Sequence, residues 1–483
     1  AWLFNNLLRY CTGEMGEVSV SFLFNAHQPR ANRNYSETRG RAQKADNPFF
    51  DEYNETILSY GVGRQDTDAI LKVAAADCYV PLLAASRFFP ASMSIAFPQV
   101  TLDMVRNAYP GLHGRLVEQH NNGDFDLGMS LYHHAFAPLL PENEIRQEIS
   151  AALDAFQQAD KLGNKFITLH IPECAVSQDL LNALGKIQSE RGVRFATVLD
   201  SDFHNSGSHP FDIGQPNELV YHVEGKECRL RILFSNNYFS RQLFSFPPIG
   251  DAKEVAFWYF TKFFESIARP QPYSYWDMLK KGINLDFIVH TDAETVGFHA
   301  PGREYAFFLF LHLLKSFNFK LSTVSQLAKE DPQVTTEKEV LCGRSWDMAS
   351  QGGTCKWEHA EPDSSTQFLY AARGSLAPLL EELSKRKYIL GDSERRRLWA
   401  AESRYANARA SCPHWWPEPS SVPGRQFAKD IIKCGEHAEK LGRFVSNDRK
   451  HLLMEAAGLK DHPFVRRAGV NVHAKPNGRL VFS

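Results

Sequence analysis

Apolar and polar positions follow two rhythms along the first two-thirds of this chain. Short runs of apolar, often β-branched residues alternate with longer stretches in which apolar residues recur three and four apart. Residues 18–25 (VSVSFLFN), 92–97 (SMSIAF), 125–129, 166–172 (FITLHIP), 194–199 and a run opening at Leu285 read as strands. Residues 219–234, with Glu224-Gly225 in the middle, read as a hairpin whose return strand joins the same sheet. Helices are expected over 69–86, from Thr101, over 141–161, 178–190, 252–268 and 303–316. Asp103 in a first turn, Pro141 at a start and Gly163 past an end mark their boundaries. Strand–helix alternation of this length predicts an α/β fold with a mostly parallel sheet and helices outside it. About seven strands fit a (β/α) barrel, an incomplete relative of the eight-stranded TIM barrel.

Past residue 331 the rhythm changes, and helical segments at 366–385, 393–410 and 425–445 predominate. The expected organisation is an N-terminal extension (1–16), a barrel (17–330), and a C-terminal helical domain (331–483) contributing to a cleft. With 483 residues, 43% of them hydrophobic, the chain can bury one large core and one smaller one. Residues 31–66 are polar and rich in Asn, Arg and Tyr, which reads as a long loop.

Charge narrows the function. Lys and Arg number 54 against 56 Asp and Glu, with no basic run interleaved with aromatics, so nucleic acid is not an expected partner. No apolar run has the length of a membrane span, and residues 1–14 lack a basic leader and a cleavage motif, so a cytoplasmic protein is expected. The eight cysteines form no C-x-x-C pair, which argues against zinc ribbons and for a reducing compartment. Aromatics make up 12% of residues, suited to a Phe-rich core and to stacking platforms for flat, weakly charged sugar rings.

Candidate chemistry gathers at strand ends. Glu173 follows the strand that opens at Phe166, and Asp292 and Glu294 follow the one that opens at Leu285. Two strands each delivering an acid to its C-terminal end is the arrangement that glycosidic-bond chemistry requires. His27 and Gln28 end the first strand; a histidine there suits a sugar hydroxyl, a metal, or a hydrogen-bonded place in the core. Trp346, Trp357 and the pair Trp415-Trp416, inside 411–419 (SCPHWWPEP), read either as an interface wedge or as a stacking wall.

Taken together, His27-Gln28-Pro29, residues 123–127 (GDFDL) with Tyr132-His133-His134, Ile171-Pro172-Glu173, and residues 290–297 (HTDAETVG) resemble glycoside hydrolase family 57. The likeness is to its α-amylase and 4-α-glucanotransferase type, and it spans roughly residues 17–330. It implies a seven-stranded barrel followed by a helical domain, and a retaining mechanism on α-glucans or maltooligosaccharides without metal or cofactor. By the same resemblance Glu173 is the nucleophile and Asp292 the general acid/base. His27, Asp126 and either His134 or Glu294 then line the donor subsite. Gln28 and the four tryptophans are expected to meet substrate as well, the tryptophans by stacking an acceptor sugar. The chain departs from the family pattern at Arg30, at Asp124 and Asp126, and at Cys412 ahead of Trp415. Glucan branching on the same site is the neighbouring alternative. A glycan-binding protein that kept the barrel is the non-catalytic one. A metal-dependent deacetylase would want an acid two residues after His27, where Pro29 stands.

Overall fold

A computed structural model describes residues 7, 9–27, 71, 74–160, 166–200, 214–245, 247–248, 250–268, 275–297, 302–332, 334–337, 345, 357, 359–410, 414, 419, 422–470, 472–474 and 480–482. The chain divides into two compact units. The first takes Ala1–Gln28, Ser36–Tyr132 and Pro141–Trp346; the second takes Pro29–Tyr35, His133–Leu140 and Asp347–Ser483.

In the first unit, β1 (Val18–Asn25), β2 (Met93–Phe97), β3 (Asp126–Ser130), β4 (Ile167–His170) and β5 (Phe195–Asp200) pair in parallel in chain order. A hairpin of β6 (Asn217–Val223) and β7 (Lys226–Ser235) follows, and β7 is the strand that joins β5. Glu224 and Gly225, both at positive φ (51° and 78°), make its tight turn. β8 (Leu285–Asp292) pairs along its full length with β1 and touches β7 at Ser235↔Ile288. The ring β1-β2-β3-β4-β5-β7-β8 is thereby closed as a seven-stranded parallel barrel.

Alternation within each strand decides what faces in. On β1, Phe22 and Phe24 point outward onto Phe307 of the helix Arg303–Ser316, at 5.0 and 5.4 Å between ring centres. Leu23 points inward, into a cluster with Ala96, Val198, Leu233 and Ile288. Most of the aromatic weight therefore lies between barrel and helices, while the interior cluster is aliphatic apart from Phe166. Gly128 on β3 fits this filling, because a Cβ there would come within 3.1 Å of both Ala96 and Thr168.

The short helix Val324–Leu327 packs into the same interior cluster and closes the N-terminal end of the barrel. A capping box starts that helix: the Thr323 hydroxyl accepts from the Gln326 amide, and the Gln326 side chain accepts from the Thr323 amide. Two strand pieces beside the barrel go beyond the sequence pattern, β9 (Lys320–Leu321) on β1 and β10 (Val334–Glu337) on β6. Both are too short to carry a period.

The second unit is helical, built from Ser365–Lys385, Asp392–Asn407, Val422–Lys440 and Lys450–Gly458, with a small hairpin of β11 (Val472–Ala474) and β12 (Leu480–Phe482). Phe368 stacks on Phe464 and meets Phe427 edge-on, each 5.4–5.5 Å away or between them. Arg404 and the buried Asp430 pair across two of the helices. Among the described residues no helix is long and apolar enough to cross a membrane.

Candidate active site

Parallel strands put all their C-terminal ends on one rim, and alternation turns Asn25, Ser130, His170, Asp200, Ser235, His290 and Asp292 inward near it. The register sets Asn25 beside Asp292, and the Asn25 amide donates to Asp292 Oδ1 at 3.3 Å. Asp292 is exposed at the rim. His170 and His290 meet in the interior as an edge-on ring pair, 5.1 Å between centres. Burial pushes the His170 imidazole down to about 3, with further lowering from the charges of Arg241 and His27. His290 is held well below the ordinary range by burial first, then by His170 and Arg241. His27 keeps some contact with solvent yet lies deep enough for desolvation to bring it to about 3. At neutral pH these rings are uncharged and can bond sugar hydroxyls without adding charge.

The strand expected from Phe166 to Pro172 stops at His170. Pro172 offers no N–H to continue a ladder, and Glu173 and Cys174 both take left-handed backbone (φ 59° and 51°) in a single 3-10 turn. Two consecutive non-glycine residues in that region cost about 1–3 kcal/mol each, a strain that recurs where geometry serves chemistry. The turn is held by Cys174 N–H to Ile171 O (2.9 Å) and Ala175 N–H to Pro172 O (3.1 Å). Burial raises the Cys174 thiol to about 12, so it stays protonated. Its Sγ lies 3.6 Å from His290 Nδ1, so thiol and ring are hydrogen-bonded neighbours. The element carrying Glu173 thus touches the strand carrying Asp292.

Arg241 and Asp200 escaped the sequence reading. Asp200 is the last residue of β5, just past the expected end at Leu199. Arg241 sits in a π-helical segment, Tyr238–Phe244, that breaks the helical period after β7. Their charged groups lie 3.6 Å apart, with Asp200 buried. A second π segment, Ala75–Tyr79, lies inside the helix expected over 69–86, and regular helix follows it as Val80–Phe88. Its Tyr79 hydroxyl donates to Glu294 Oε1 at 3.2 Å, both groups being buried. Gly297 allows the approach: at φ 102°, a Cβ there would lie 1.9 Å from Asp77 O.

The sequence profile of glycosyl hydrolase family 57 matches residues 21–340, which include every ring strand but the first residues of β1. The chain belongs to this family. No curated protein matches its sequence. Among solved structures it is similar to an exo-type maltose-forming amylase from Pyrococcus sp. ST04 (TM-score 0.62, 13% identity, 91% of this chain and 82% of that one). It is also similar to a family 57 branching enzyme from Thermococcus kodakaraensis (TM-score 0.61, 14% identity, 93% and 96%). A third likeness is to a 4-alpha-glucanotransferase from Thermococcus litoralis (TM-score 0.53, 14% identity, 89% of this chain and 60% of that one). At such identities the likeness speaks for a common fold.

Within this family 57 chain, not every residue singled out in the sequence reaches the rim. Asp126 opens β3, so it lies four residues, or roughly 13 Å, below the rim residue Ser130. Its buried carboxylate accepts from Ser94 Oγ (3.1 Å) and Thr168 Oγ1 (2.5 Å), and desolvation raises its pKa against those bonds. There it joins the closed end of the barrel, where Ser94 also accepts from Val324 N–H. Placing Asp126 in a donor subsite is therefore corrected: strand direction sends it to the opposite end. Trp357 is corrected as well. It is fully buried in the second unit, stacked on Phe136 at 4.8 Å, and offers no face to a sugar. His134 also belongs to the second unit, buried and at φ 55°. Gln28, Trp346, Trp415 and Trp416 lie outside the described residues, as do Arg30 and Cys412.

Proposed function

We propose that this protein cleaves or transfers α-1,4-glucans with retention of anomeric configuration, using Glu173 as nucleophile and Asp292 as general acid/base. The observation that carries the reading is the 3.6 Å contact of Cys174 Sγ with His290 Nδ1. It ties the turn presenting Glu173 to the strand whose next inward residue is Asp292. In the first step the Glu173 carboxylate attacks the anomeric carbon, the glycosidic C–O bond breaks, and Asp292 gives its proton to the departing oxygen. In the second, Asp292 takes a proton from water or a sugar hydroxyl, whose oxygen displaces Glu173 from the glycosyl-enzyme. Asn25, bonded to Asp292, fixes the orientation of that carboxyl. The uncharged imidazoles of His27, His170 and His290 suit a neutral, hydroxyl-rich substrate.

Incubation with maltoheptaose, with products resolved by length and linkage, tests the proposal. Shorter sugars alone mean hydrolysis, longer ones mean transfer, and new branch points mean branching. Products released first as the inverted anomer would overturn retention. Maltooligosaccharide binding without turnover, unaltered in Glu173→Gln, would leave a glycan-binding protein instead.

A further inference from the structure

Resting on that reading, we propose that Arg241 is the positioning residue that holds the Glu173 turn in its productive conformation. Glu173 and Cys174 occupy backbone that non-glycine residues leave unless they are held, so something must hold them. The two 3-10 hydrogen bonds lie inside the turn and do not anchor it to the barrel. Anchoring comes through Cys174, whose thiol lies between two partners from the far side of the ring. One is His290 on β8, and the other is Arg241, whose charge bears on the sulfur.

The guanidinium is itself fixed from two directions. Asp200 at the end of β5 pairs with its Nε at 3.6 Å. Its neighbour Ser240 accepts from the His290 N–H at 3.1 Å, stitching the π segment to β8. The extra residue of a π turn re-aims the side chains that follow, and here it directs Arg241 toward the rim, where its charge bears on His170, Cys174 and His290 together. A planar, permanently charged fork can bridge a carboxylate and a thiol at once; an ammonium on a flexible stem cannot fill both places. One cation thereby links β4, β5, β7 and β8 around the nucleophile.

Arg241→Met and Asp200→Asn test this by hydrogen exchange and by kinetics. In Arg241→Met the amides of Cys174 and Ala175 exchange at least about tenfold faster while those of β2 hold their rate. The kcat on maltoheptaose falls about 10²-fold with KM within about twofold, because a displaced nucleophile costs turnover more than binding. Guanidinium ion restores part of the kcat of Arg241→Ala, and Arg241→Lys does not. Should Arg241→Met loosen β2 as well, Asp200→Asn, the milder change, is read in the same way. Unchanged exchange at Cys174 and Ala175 overturns the proposal whatever the kinetics. Faster exchange with wild-type kcat overturns it too. A wild-type protein that turns over no α-glucan refutes the proposed function, and the exchange result still decides whether Arg241 holds the turn.

Discussion

The His170 ring stands edge-on to the His290 ring, 5.1 Å away, and both are buried inside the barrel near its open rim. Neither takes a proton in the native state at ordinary pH, because burial holds both well under their free value. The unfolded chain does take those protons below about pH 6.5. Stability from this source is present above about 6.5 and is lost as pH falls below it, toward about 3 for His170, at up to about 1.4 kcal/mol per pH unit for each ring. Between pH 6.5 and 5.5 the wild type should lose about 1 kcal/mol more than His290→Gln. Denaturant midpoints at the two pH values check this, and parallel losses in both proteins would contradict it.

Glu173→Gln and Asp292→Asn should each abolish most turnover of maltoheptaose, by about 10²–10⁴-fold for the acid/base position. Substrate binding, measured by calorimetry, should change little. A variant at either position keeping wild-type kcat would remove that residue from the chemistry.

Asp126→Ala should act on stability and not on the substrate. It strands the Ser94 and Thr168 hydroxyls in the closed end of the barrel, at a cost of about 1–3 kcal/mol. A lowered melting temperature with unchanged KM is expected. A raised KM in protein that melts normally would return Asp126 to the substrate.

Tyr79→Phe removes the hydrogen bond to Glu294 while keeping the ring packed against Phe97 at 5.3 Å. The expected loss is about 0.5–1.5 kcal/mol, read as a several-fold rise in KM if Glu294 meets the sugar. Steady-state kinetics on maltooligosaccharides decides the point, with KM at the wild-type value counting against Glu294 as a contact.

Trp357→Ala should cost about 3–5 kcal/mol by opening a cavity beside Phe136 in the second unit. Chemical denaturation measures it. A change under about 0.5 kcal/mol would mean that the indole is not a core residue.

Much of this was legible in the residue pattern. The helices Ala252–Ala268 and Arg303–Ser316 have the bounds that the apolar period gives, and the hairpin around Glu224-Gly225 falls where its turn residues stand. The two π segments were not legible, because one extra residue per turn erases the period that marks a helix. Nor was the fate of Trp357: a large aromatic suits a core and a sugar platform equally, and only its neighbours decide.

The amino-acid order by itself determined the strand–helix alternation, hence a parallel barrel, and the strand ends that carry acids, since periodicity and local turn chemistry are properties of neighbouring residues. Tertiary structure alone decided which rim each polar group reaches and which distant charges meet. Asp126 lies at the closed end, and Arg241 finds Asp200 across 41 positions of chain (241 minus 200), because ring closure brings together residues that no local interaction couples.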